Sequence, residues 1–294
     1  MTTQTKYYRI AEHSFAIEGL PGLFRRLPNY EPFLVDEIGS THVFTIRMNN
    51  ASIPGTDGWE HVYTDVSDQD MPRIEMYKRD ERWLFRFSLR RDAKIVCAMI
   101  CSKEWSRADV FSLPENERFA IDNAAMLLYA FSTADKRTLL FHSSVVVRQE
   151  RAFMFLGHSG AGKSTHSQQW LAAFSDARLL NDDNPVLRIF ADGIVKIYGS
   201  PWSGKTPCYK NESAPLGALI QIEQAPENKI TSLTMAQAYP FILSSVSGLK
   251  VLPEMMDRLF ESIAALLGIS PVFKLECLPN KEAAQLCCAT LLTP

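Results

Sequence analysis

The sequence predicts an α/β protein: a β-rich N-terminal region, residues 1–112, ahead of an α/β core, residues 113–294. Three observations carry that expectation. Short runs rich in β-branched and aromatic residues, broken by turn signals, fill the front of the chain. A helical period replaces them after Pro114. From Thr138 the order becomes strand, turn, strand, glycine-containing loop, helix.

In the front region "FLVDEI", "HVFTIRM", "IEMYKR", "RWLFRFSL" and "AKIVCAMIC" read as strands, with "NNASIPGTDG" and "SDQDMP" as turns between them. No catalytic cluster lies among them. In "LPENERFAIDNAAMLLYAFSTADK", Ile121, Ala124, Ala125, Leu128 and Phe131 fall on one helical face. This helix is expected to lead into the second half. There "TLLFHSSVVV" and "AFMFL" are buried strands turned by "QER", and "STHSQQWLAAF" is a helix. "ARLLNDDNPVLRI", "GIVKIY", "LGALIQIE" and "VFKLEC" supply further strands. "MAQAYPFILSSV", "PEMMDRLFESIAALLG" and "KEAAQLCCATLL" supply further helices. There is no internal repeat.

Composition narrows the classes. At 46% hydrophobic and 22% charged residues the chain reads as soluble and globular. A net charge of −2 gives no general reason to expect nucleic acid or an anionic membrane as a partner. The first residues lack the apolar run of a signal peptide and no segment is apolar enough to span a bilayer, so a cytoplasmic protein is expected. Cys97, Cys101, Cys208, Cys277, Cys287 and Cys288 form no C-x-x-C pair, and read as buried thiols.

The stretch "FMFLGHSGAGKSTHSQQWL" carries the chemistry. Read as Gly157-x-x-x-x-Gly162-Lys163-Ser164, it is a Walker A phosphate-binding loop, whose contacts are Gly157, His158, Ser159, Gly160, Ala161, Gly162, Lys163, Ser164 and Thr165. Glycines let consecutive N–H groups face one anion, and Lys163 reaches the β- and γ-phosphates. Ser164 ligands Mg²⁺, and a helix starting there turns its dipole to the phosphate. The competing G-x-S-x-G reading would make Ser159 a hydrolase nucleophile. It has Ala161 where the last glycine belongs, and no histidine follows His166 to complete a triad in the required order. That reading is rejected. His158 is expected to face solvent and His166 to lie on the helix surface.

A second match, "GSPWSGKT" from Gly199 to Thr206, carries Pro201 inside and Pro207 directly after. No helix can readily start there, so it reads as a loop, with Lys205 and Lys210 available to an anionic substrate. "ARLLNDDNPVL" ends an apolar strand on Asp182 and Asp183, about twenty residues after Lys163, which returns the chain to the ligand end of the sheet. One carboxylate can hold Mg²⁺ with Ser164, for which Asp183 is the first choice. The other accepts a proton.

Together "GHSGAGKST" and "LLNDDNPVL" resemble the HPr kinase/phosphorylase and ATP-dependent phosphoenolpyruvate carboxykinase superfamily. The likeness covers roughly residues 139–224, with "GSPWSGK" similar to a Pro-Trp loop of HPr-kinase-like proteins. It implies a P-loop core of that type. It also implies that His142, which begins the strand-turn-strand ahead of the loop, contacts the γ-phosphate or the acceptor. The family has Ser-Glu after the lysine where this chain has Ser164-Thr165, so HPr itself is not taken as the acceptor.

The function expected is Mg-dependent phosphoryl transfer from ATP to a hydroxyl of a protein serine or a small molecule. Lys163, Asp182, Asp183 and His142 are its catalytic residues, and ATP and Mg²⁺ its cofactors. The alternative is a non-catalytic ATP-binding switch that controls a partner protein. The acceptor and any homo-oligomer are left open by the sequence, as is the role of residues 1–112.

Overall fold

Strands begin earlier than turn signals announce. In this computed structural model, which describes residues 2–65, 72–90, 93–204, 206–248 and 250–292, β1 (Gln4–Ile10) and β2 (His13–Gly19) form a hairpin. Its turn residues, Ala11 and Glu12, both have positive φ, 46° and 65°. That geometry matches the twist of paired strands but is usually built from Asn-Gly, which is why the sequence hid it.

The chain divides into two units, Met1–Ser132 and Thr133–Pro294. In the first, β1 and β2 join α1 (Pro21–Phe24), β3 (Leu34–Val35), β4 (His42–Asn49) and β5 (Glu60–Thr64). β6 (Ile74–Arg79), β7 (Arg82–Ser88), β8 (Ile95–Ser102) and β9 (Arg107–Ser112) complete a mixed sheet of order β3-β1-β2-β4-β9-β8-β7-β6-β5. "FLVDEI" contributes only the two residues of β3. Helix α2 (Glu117–Thr133) buries the expected face, Ile121, Ala124, Ala125, Leu128 and Phe131. The Phe131 ring lies 4.4 Å from that of Trp105. The two units divide at the last residue of this helix, between Ser132 and Thr133.

The second unit contains β10 (Thr138–Leu140), β11 (Ser143–Arg148), β12 (Arg151–Leu156), α3 (Lys163–Ala173), β13 (Arg178–Asp183) and β14 (Val186–Ile189). β15 (Val195–Tyr198), β16 (Ser213–Gln224), β17 (Lys229–Ser232), α4 (Met235–Ser245), α5 (Pro253–Ile269), β18 (Val272–Cys277) and α6 (Lys281–Leu291) follow. Its mixed sheet runs β10-β14-β15-β16-β12-β11-β13, with β18 on β16 and β17 on β18. The apolar run "TLLFHSSVVV" is two strands, because the chain leaves the sheet at Phe141 and His142. Their N–H groups donate to Pro185 O and Ser245 O instead.

Strands β12, β16 and β18 are parallel neighbours, and their apolar faces meet α3 and α6 in a core that includes Phe153, Phe155, Ile220, Leu275, Ala284 and Cys287. Trp170 lies at its centre, fully buried, with its ring 5.0 Å from Phe153 and 5.7 Å from Phe155. This core fixes the start of α3 against the carboxyl end of β12. All six cysteines are buried and reduced. Among the described residues no helix is long and apolar enough to cross a membrane.

Candidate active site

The turn between β12 and α3 is set by backbone constraints. Gly157, Gly160 and Gly162 have φ of 155°, 79° and 102°. A Cβ at Gly157 would sit 2.9 Å from Ala161 Cβ and 3.1 Å from Ile222 O, so only glycine lets the loop fold back. Gly162 caps α3, and the first intrahelical bond is His166 N–H to Gly162 O at 2.8 Å. The N–H groups of Lys163, Ser164 and Thr165 therefore have no helical partner and emerge at the positive end of the helix dipole. His158 and Ser159 are exposed at the tip of the loop, and His158 Nδ1 lies 2.7 Å from Ser159 O. Gln224, at the end of β16, donates from Nε2 to Gly160 O at 2.9 Å. No sequence signal singled out that support.

Lys163 folds back over the loop. Its Nζ donates to Gly157 O at 2.9 Å and His158 O at 3.2 Å. The residue is buried, and burial pushes its ammonium below the ordinary lysine value, against the opposing pull of Asp183 and Asp182. A cation so desolvated is short of counter-charge, and an anion in the loop would supply it.

The aspartate strand returns to the loop end of the sheet. β13 is not the neighbour of β12. β11 runs antiparallel between them, pairing Ser143 with both Leu156 and Asp183. The start of β11 and the ends of β12 and β13 thus share one edge of the sheet. That register brings His142, the glycine loop and both carboxylates together.

The two aspartates divide their contacts. Ser164 Oγ donates to Asp182 Oδ1 at 2.8 Å, and Asp182 is buried. Asp183 Oδ1 lies 3.0 Å from His142 Nδ1, with both side chains partly exposed. The expected metal pair was Ser164 with Asp183, but Ser164 meets Asp182 instead. Adjacent strand residues point to opposite faces, so only one of them can turn to the helix start. Asp183 also carries a φ of 154°, a region in which a side chain costs roughly 1–3 kcal/mol. Its bridge to Ser203 and the Gly204 N–H donated to Asp182 O at 2.9 Å hold it there.

The Pro-Trp loop is therefore packed on the aspartates. Asn181 Nδ2 donates to Ser200 Oγ at 3.2 Å, Ser200 Oγ donates to Asn184 O at 2.6 Å, and Trp202 is buried. No helix starts at Pro207; the chain runs on as irregular backbone into β16. Lys210 spends its ammonium on Leu179 O at 2.7 Å. Lys205 lies outside the described residues.

His166 corrects an expectation. It is 3% exposed, not on the helix surface, because Lys163, His166, Ser167 and Trp170 form the buried i, i+3, i+4, i+7 stripe of α3. The stripe is polar, so its period was overlooked, yet its members are paired. Trp170 Nε1 donates to His166 Nε2 at 3.0 Å, and the hydroxyls of Ser144 and Ser167 are 2.6 Å apart. Burial pushes the imidazole down to about 4. An unfolded ring takes its proton near 6.5, so below that pH the unfolded chain binds a proton that the folded one refuses. Stability from His166 is complete above 6.5 and is lost as pH falls towards 4, about 2 kcal/mol of it by pH 5. Denaturant melts at pH 7 and pH 5 should show this loss in wild type and not in His166→Gln. The variant is the needed reference, since burial raises Asp122 in the first unit to about 6 and gives the opposite slope.

The donors at this edge are a hydroxyl and two carboxylates. Among the described residues no group of three or more His, Cys, Asp or Glu is arranged to cage a metal. Such a set fits Mg²⁺, which takes one or two carboxylates and completes its shell with phosphate oxygens and water.

No protein-family model matches the sequence, and no curated protein matches it. Among solved structures, the HPr(Ser) kinase/phosphatase from Coxiella burnetii is similar over 52% of this chain and 87% of its own, at 11% identity and a TM-score of 0.31. At that level the likeness fixes neither fold nor activity.

Proposed function

We propose that the second unit binds Mg·ATP and transfers its terminal phosphoryl group to a hydroxyl of a protein serine or a small molecule. One observation carries the reading: Lys163 with the loop amides, the Ser164–Asp182 pair and the His142–Asp183 pair share one sheet edge. The β- and γ-phosphates lie on the open N–H groups of α3, with Lys163 Nζ turning from the loop carbonyls to their oxygens. Ser164 and Asp182 hold Mg²⁺, which when bound offsets the charge on those phosphates.

Asp183, steadied by His142, takes the proton of the acceptor hydroxyl. The acceptor oxygen forms a bond to the terminal phosphorus as the bond from that phosphorus to its bridging oxygen breaks, and ADP leaves with the electron pair. The strained backbone at Asp183 supports this division, since strain of that kind is retained at functional sites.

The experiment is ADP release from Mg·ATP over a panel of acceptors: free serine, other hydroxylated metabolites and a serine-bearing carrier protein. Stoichiometric transfer to one acceptor is expected. ATP bound tightly with no acceptor raising ADP release would instead favour the non-catalytic switch.

A further inference from the structure

Strand β11 opens on two fully buried serines, Ser143 and Ser144, whose hydroxyls differ. Ser144 faces α3, where its Oγ lies 2.6 Å from that of Ser167. Ser143, the next residue along the strand, faces the other side of the sheet. Its Oγ has no hydrogen-bond partner, the one such buried side-chain atom of the second unit among the described residues. Alanine would fill the same space and leave no polar atom unpaired, so packing does not explain the oxygen. A buried hydroxyl without a partner costs stability, and one retained at that cost calls for a reason.

The register supplies one. Ser143 pairs with Leu156 on one side and Asp183 on the other, so its side chain shares a face of the sheet with the Asp183 carboxylate. Directly opposed residues on antiparallel strands bring their Cβ atoms to about 4.5–5.5 Å, a gap that a hydroxyl and a carboxylate can bridge.

The carboxylate is engaged through one oxygen, Oδ1, which lies 3.0 Å from His142 Nδ1. On the outer side of β13 the Pro-Trp loop shuts it in. A Cβ at Gly204 would come within 3.3 Å of Asp183 Cβ and 3.4 Å of its Cγ. Turned inwards, Oδ2 meets β11, where Ser143 carries the hydroxyl.

We infer that Ser143 is a positioning residue for phosphoryl transfer, its hydroxyl donating to Asp183 Oδ2 once the acceptor is bound. That bond fixes the rotation of the carboxylate, so that a second lone pair of Oδ2 faces the acceptor hydroxyl. Ser143 keeps its own proton, and the acceptor's proton goes to Asp183. The inference rests on the reading of Asp183 as the base and adds what aims it.

The test is a double-mutant cycle of Ser143→Ala and Asp183→Asn. It is read in turnover, with the acceptor that the panel above identifies, in Mg·ATP binding and in denaturant melts. Ser143→Ala is expected to lower kcat by about tenfold to a hundredfold, the effect of a misaimed group, with Mg·ATP affinity unchanged. Its unfolding midpoint should equal or exceed that of wild type, because an unpaired hydroxyl has been removed. In the Asp183→Asn background the same change should cost no further turnover, since no base is left to aim. Wild-type kcat in Ser143→Ala, equal losses in both backgrounds or a lowered midpoint would overturn the positioning role and leave Asp183 as the base. A panel that yields no acceptor, or full turnover in Asp183→Asn, defeats the base reading and this inference with it.

Discussion

Replacing Lys163 by alanine should lower the affinity for Mg·ATP by about ten- to a hundredfold, from the 1.5–3 kcal/mol that a hydrogen bond to a charged group contributes. The Lys163 ammonium is buried and rests on two carbonyls, Gly157 O and His158 O. Those contacts cap its charge poorly, and phosphate oxygens would complete its shell. Arginine should not restore the affinity, because its planar fork cannot occupy a space shaped around one nitrogen within the loop. Equilibrium dialysis with labelled ATP measures the loss, and thermal melting confirms that the variant is folded. An unchanged affinity would remove Lys163 from the site.

The second large effect falls on turnover. Asp183→Asn should lower kcat by about 10² to 10⁴, the usual contribution of a positioned general base, while Mg·ATP affinity stays within a few fold. Asparagine is the informative substitution here. It has nearly the shape of aspartate, so it meets the backbone at 154° with the same sterics, and its amide oxygen can still face His142. What it lacks is the ability to take a proton. Asp182→Asn should behave differently, weakening ATP binding chiefly when Mg²⁺ is present, because Asp182 is the carboxylate that Ser164 meets. If instead the Asp182 variant keeps Mg-dependent binding and the Asp183 variant loses it, the two roles are exchanged. Steady-state ADP release together with dialysis separates these cases.

The glycine turn between β12 and α3 was legible because it is local: the strand, the three glycines and the helix fall within one short stretch of chain. The helical face of α2 was legible for the same reason, since burial there is apolar and periodic. Contacts across strands were not. That β11 rather than β13 lies beside β12 depends on pairings among segments distant in sequence, and those pairings decide which aspartate meets Ser164. The β1–β2 hairpin was hidden by its Ala-Glu turn. His166 was misread because the buried stripe of α3 is polar and is satisfied internally, by Trp170 for the imidazole and by Ser144 for Ser167. Gln224 could be found only once β16 was known to end beside Gly160.

Every role proposed for these residues depends on the loop from Gly157 to Thr165 being a nucleotide site. Isothermal titration of Mg·ATP into the wild-type chain tests that most directly. One site per chain is predicted, with heat that fades when Mg²⁺ is withheld. No saturable heat up to millimolar ATP, or a signal that Lys163→Ala leaves intact, would contradict it.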